Sequence, residues 1–159
     1  MLLARTFLHV PGRTILASAA AIVTLAGPAF AEPAKGTVTQ AGRSATIRHA
    51  WLVVGPDAVD PKTTIRRVVL SANDIGEKLR ACATMSCADG SVTDGMTVDL
   101  DAGPRLNFWV SLDGQRVQYS GTEPKASLAP TANDGKRVAG TLKIDKSFVG
   151  RLGSAGEAF

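Results

Sequence analysis

Several stretches of this chain alternate apolar and polar residues with a period of two, and that pattern restricts the fold more than any other feature. Met96, Val98 and Leu100 fall on one side, while Thr97, Asp99 and Asp101 fall on the other. Leu106, Phe108, Val110 and Leu112 oppose Asn107, Trp109 and Ser111. Val117 and Tyr119 oppose Arg116, Gln118 and Ser120, and Val138, Leu142 and Ile144 oppose Thr141, Lys143 and Asp145. Successive side chains of a strand leave on opposite faces, so one apolar and one polar face per segment describes a half-buried antiparallel sheet. The apolar members of these four segments form the expected core.

The punctuation between the segments agrees. Asp113-Gly114 separates two alternating runs and is a strong short hairpin signal. Ala102-Gly103-Pro104 marks another turn, and Ala41-Gly42-Arg43 joins "KGTVTQ" to "SATIRHAWLVV". Residues 55–62, "GPDAVDPK", read as an exposed loop before the strand "TIRRVVLSA". The fold class is therefore all-β: an antiparallel β-sandwich or small barrel of six to seven strands, with at most one short helix near residues 73–82. It occupies a single domain, residues 32–145.

The first 31 residues carry Arg5 and Arg13 but no acid, then an apolar run from Ile15 to Ala26, then Ala29-Phe30-Ala31. That order describes a secretory signal peptide cleaved before Glu32. The run is too short for a membrane span, which needs about 20 apolar residues. No membrane span is expected after signal removal, and the protein is expected to be periplasmic or secreted. Of 18 basic and 14 acidic residues, the signal takes two arginines and leaves 16 against 14. The remaining charge is near balance, and its one short basic cluster is Arg66-Arg67, so nucleic acid is not an expected partner.

Export sets the reading of the two cysteines, Cys82 and Cys87. Thiols in an oxidising compartment pair, and an even count gives one bridge. Residues five apart on a continuous helix rise about 7.5 Å, beyond disulfide reach, so a helix starting at Asn73 must end by Ala83. A zinc site needs four ligands, whereas the mature chain adds only His49 to its cysteines. No cofactor is expected. The alternative is copper handling by Cys82, Met85 and Cys87 as soft sulfur ligands, which requires reduced thiols. Under the disulfide reading, Met85 is exposed or packed beside the staple.

Catalysis finds little support. His49 is the sole histidine after the signal and sits within an alternating strand, where a structural hydrogen bond is the plain reading. Asp89 and Asp94 precede glycines and read as turn residues, while Asp99 and Asp101 share a strand face. No catalytic residue is assigned. A binding or interaction role remains, toward an unidentified protein or small ligand. Its candidate surface is Trp51, Trp109, Arg66 and Arg67, because aromatics and arginine dominate interface energetics. Trp109 opposes Phe108, so either an aromatic patch faces outward or the helix and loop cover a second buried face.

The Gly-containing first strand, His49-Ala50-Trp51, Leu70-Ser71-Ala72-Asn73-Asp74 and Gly140-Thr141-Leu142 follow one another in a pattern that resembles a family of small exported bacterial β-sandwich proteins of uncharacterised function. The likeness spans residues 36–145 and implies a β-sandwich and export, with no activity attached. Such proteins usually close on a further alternating strand. Residues 146–159 lack that alternation and hold Gly150, Gly153 and Gly156. They read as a Gly-rich tail, disordered or left by truncation or a frame shift.

Overall fold

The computed structural model describes residues 32–144 and 148–158; side chains are described at neither Glu32 nor residues 115–120 and 148–158. The expected signal peptide, residues 1–31, lies outside the described residues. The strands are β1 (Glu32–Gln40), β2 (Arg43–Pro56), β3 (Thr64–Ser71), β4 (Gly95–Asp99), β5 (Arg105–Leu112), β6 (Gln115–Pro124), β7 (Leu128–Asn133), β8 (Arg137–Ile144) and β9 (Phe148–Ala158). They form one sheet in the order β6-β5-β4-β3-β2-β1-β9-β8-β7, antiparallel except for a short parallel pairing of β2 with β9. The all-β class holds, with nine strands among the described residues in place of six or seven.

The sheet curls so that alternating residues from β1 to β5, β7 and β8 share one interior. Phe108, Leu106, Met96, Val98, Leu70 and Leu142 are among the side chains buried there. Met96, Val98, Leu100, Leu106, Phe108, Val110, Val138, Leu142 and Ile144 all face it as the alternation predicts. Val117 and Tyr119 belong to the undescribed side chains. Two tight turns set the register: Asp113 and Gly114 take φ of 54° and 66°, and Ala41 and Gly42 take 50° and 78°. Left-handed conformation at both central residues matches the twist of antiparallel hairpins.

Between β3 and β4 the chain leaves the sheet and lies across its outer face. Two short helices form there, α1 (Gly76–Arg80) and α2 (Met85–Ser91), where one at most was expected. The Asp74 carboxylate accepts the Gly76 N–H at 3.0 Å, and the Thr84 hydroxyl caps α2 by accepting the Cys87 N–H at 3.2 Å. Ile75 and Leu79 lie four apart, and Met85, Ala88 and Val92 follow at three and four. These spacings put one apolar stripe of each segment on the sheet, where they bury Trp51, Val53, Ile65 and Val69 in a second cluster. The first helix ends before Ala83, as the cysteine spacing requires, and Cys82 and Cys87 are bonded with Cα atoms 5.4 Å apart.

The largest correction concerns the C-terminus. Residues 148–158, read as a tail outside the sheet, form β9 between β1 and β8. A strand with hydrogen-bonded neighbours on both sides is held through its backbone, so it needs no apolar alternation to find its place. Glycines at 150, 153 and 156 hid it from a reading based on side chains. Among the described residues, no helix is long and apolar enough to cross a membrane.

Candidate functional site

The ladder of β3, β4 and β5 aligns Arg67, Asp99 and Asn107 across the outer face, because Arg67 pairs with Asp99 and Asp99 with Asn107. Arg67 holds Asp99 through two bonds, Nε to Oδ1 at 2.5 Å and Nη2 to Oδ2 at 2.8 Å. Its Nη1 donates to Asp89 Oδ1 at 2.6 Å and to the Met85 carbonyl at 3.3 Å, both on α2. The guanidinium carbon stands 5.3 Å from the centre of a Trp109 ring, a cation–π distance. One buried arginine thus fastens the helical excursion to the sheet and stacks on the aromatic beside it.

Burial works against the Arg67 charge, but Asp99 and Asp89 outweigh it, and the guanidinium holds its proton more tightly than usual. Asp99 is pushed up from the ordinary carboxylate value. Burial is the main cause; Arg67 offsets it in part, and the Asp89 and Asp57 charges add to the rise. For Arg67 two carboxylates outweigh the cost of burial, whereas for Asp99 burial beside a second carboxylate outweighs the help from Arg67.

Against this floor stands the loop 57–63. Asp57 accepts the Val59 N–H at 2.7 Å, while Asp60 accepts the Lys62 N–H at 3.2 Å and the Thr63 hydroxyl at 2.9 Å. Bonds from Asp57 N to Thr63 O and from Thr63 N to Asp60 O close its base. The loop holds Val59 at 93% exposure, the one large apolar side chain so exposed among the described residues. A groove of about 610 Å³ lies between the loop, Asp89 of α2, and Arg67, Asn107 and Trp109 of the sheet. Asp99, Asp101, Ala102 and Gly103 complete much of its lining.

The four residues expected to form a binding surface are separated by the fold. Trp109 and Arg67 meet in the groove, but Arg67 is 5% exposed and serves as a structural cross-link. Trp51 is 1% exposed, covered by the helices, with its Nε1 buried without a hydrogen-bond partner among the described residues and its ring stacked on His49 at 5.6 Å. It is a core residue, because the excursion 72–94 covers the face it points to. Arg66 faces the other side of β3. Its Nε and Nη2 bind Asp101 at 2.7 and 2.9 Å, and its Nη1 reaches Asn133 Oδ1 and the Asp134 carbonyl. That clasp joins β3 to the β7–β8 turn. Asp101 is held below the usual carboxylate range by its bonds from Arg66, with burial opposing.

The three sulfurs weighed for copper do not converge as ligands here. Cys82 and Cys87 are bonded to each other, and Met85 is buried against the sheet. Among the described residues, no group of three or more His, Cys, Asp or Glu side chains is placed to hold a metal ion.

Asp57, Val59, Asp60 and Asn107 were missed as site residues by the sequence. The loop was legible, but its position against β5 depends on the β3–β4 register, which the intervening helices conceal. Arg67 opposite Asp99 is a favourable cross-strand pair and would have revealed that register. No protein-family model, curated protein or solved structure matches this chain.

Proposed function

We propose that this is an exported, non-catalytic binding module that takes its ligand in the Trp109 groove. The observation carrying the reading is the groove itself: a concave space of about 610 Å³ beside a half-buried aromatic, on a floor fixed by the Arg67 network. A rigid floor lowers the ordering cost of binding, which favours recognition. The acids support a non-catalytic role, since Asp99 is engaged by Arg67 and Asp101 by Arg66. The bonded cysteines and the resemblance to exported β-sandwich proteins support export.

Two measurements test the proposal. Mass analysis of the protein made from the full chain is expected to find a mature terminus at Glu32; retention of residues 1–31 would refute export. A screen of mixed solutes and peptides by two-dimensional NMR is expected to give ligands that move Trp109 and Asn107 resonances and are lost in Trp109→Ala. Ligands that move only distant residues would refute the site, and turnover of any of them would refute the non-catalytic reading.

A further inference from the structure

We infer that the groove receives a basic side chain, lysine or arginine, presented by a polypeptide segment with an apolar neighbour. This rests on the groove being the binding site and names its partner by charge. Five carboxylates, Asp57, Asp60, Asp89, Asp99 and Asp101, line the space against the one guanidinium of Arg67. Arg67 is shared by two of those acids, and Arg66 answers Asp101. Asp57 and Asp60 at the rim bond to backbone N–H groups and a hydroxyl. The arginines that looked like a basic surface are engaged by acids, so the field offered to a partner is negative. Burial is the main cause of the rise in Asp99 proton affinity, and the smaller additions from the Asp89 and Asp57 charges accord with that field.

Placement of the acids selects the kind of cation. No three of them converge on a metal ion among the described residues, so a compact divalent ion lacks its ligand shell. An ammonium or guanidinium on a flexible stem can meet carboxylates spread around a groove while its methylenes lie along Trp109. Val59 decides between a free polyamine and a polypeptide. Burying the exposed Val59 side chain at the rim gains free energy only against apolar surface, which an apolar residue adjacent to the basic one supplies and a second amine does not.

The test titrates the full folded protein with blocked tripeptides Val-Arg-Val and Val-Glu-Val and with spermidine, reading the Trp109 indole N–H resonance. Val-Arg-Val is expected to bind and Val-Glu-Val not to. Asp57→Asn/Asp60→Asn keeps the side-chain shape and the acceptors of the Val59 and Lys62 N–H groups, while the Thr63 hydroxyl turns to accept from the new amide. In that variant affinity is expected to fall about tenfold or more at low salt and to lose much of its salt dependence. The melting temperature of that variant should stay near the parent's. Val59→Ser is expected to weaken Val-Arg-Val and leave spermidine unchanged. Equal binding of Val-Glu-Val, or full affinity in the asparagine variant, would overturn the cationic partner while leaving the groove as a site. Spermidine binding as tightly as Val-Arg-Val would overturn the polypeptide partner. A Trp109 resonance unmoved by all three probes overturns the inference; if the solute and peptide screen also leaves it unmoved, the groove reading fails with it.

Discussion

Arg66 and Arg67 are adjacent in β3, yet the pleat sends them to opposite faces, and those faces are buried by different means. Arg66 shares its side with Val68 and Leu70, which face the interior that the curled sheet makes for itself. Arg67 shares its side with Ile65 and Val69, which are buried only because α1 and α2 lie over them. The inner face needs nothing but strands. Its outer counterpart needs a separate segment of chain, braced internally by the Cys82–Cys87 staple, and an ion network at Arg67 to hold that segment down. Where the cover stops, the groove begins. A face closed by a borrowed element has a boundary, and at that boundary buried charge meets solvent.

The sharpest way to separate the two faces is to truncate neighbouring aromatics on β5. Phe108→Ala, on the inner face, is expected to cost about 3–5 kcal/mol by denaturant unfolding. Trp109→Ala, on the half-buried outer face, should cost less than half as much. Equal losses would show that the outer face is as fully packed as the inner one.

Next come the arginines. Arg67→Ala leaves Asp99 and Asp89 without their shared cation in a buried setting, and a loss of about 3 kcal/mol is expected. Arg66→Ala breaks a more exposed clasp and should cost about 1 kcal/mol. Reversal of that order would mean that the β7–β8 clasp matters more than the helix cross-link.

The staple closes a small loop, so Cys82→Ser/Cys87→Ser is expected to lose about 2 kcal/mol. Faster amide exchange should be confined to residues 76–92. Exchange that rises equally in β7 and β8 would show that the excursion is not a separate unit of stability.

The smallest expected effect is on pH dependence, and its sign differs between the acid held by Arg66 and the acid held by Arg67. Asp101 has a lowered folded value, so its contribution is present above the ordinary carboxylate value and is lost as pH falls through the folded one. Asp99 has a raised value, so its proton-linked contribution is complete below the ordinary value and is lost as pH rises through the folded one. Asp101→Asn should therefore flatten the loss of melting temperature below about pH 4. An unchanged acid limb would remove Asp101 from the account.

Much of the inner face was legible residue by residue, from Met96 through Ile144, because a period of two is set by the backbone and needs no knowledge of neighbours. Both hairpin turns were legible for the same local reason, as were the pairing of the cysteines and the exposed loop, which runs over 57–63 because Gly55 and Pro56, expected within it, close β2. The second helix was within reach of the sequence, through Thr84 as its cap and the Met85, Ala88, Val92 spacing, but it begins inside the disulfide loop, where a turn is the simplest way to bring the cysteines together. The site was less legible. Trp109 was placed near it, while Trp51 was assigned to the same surface although the helices cover it.

What the sequence determined by itself was therefore whatever depends on a residue and its near neighbours: strands, turns, the staple and the apolar side of each segment. The tertiary structure alone decided three things. It placed β9 between β1 and β8, because backbone pairing is indifferent to the glycines that erase a side-chain pattern. It paired Arg67 with Asp99 across a register hidden by the excursion. It also set loop 57–63 against Trp109, because the sign of a groove's charge depends on which acids the fold gathers and which arginines it has already engaged.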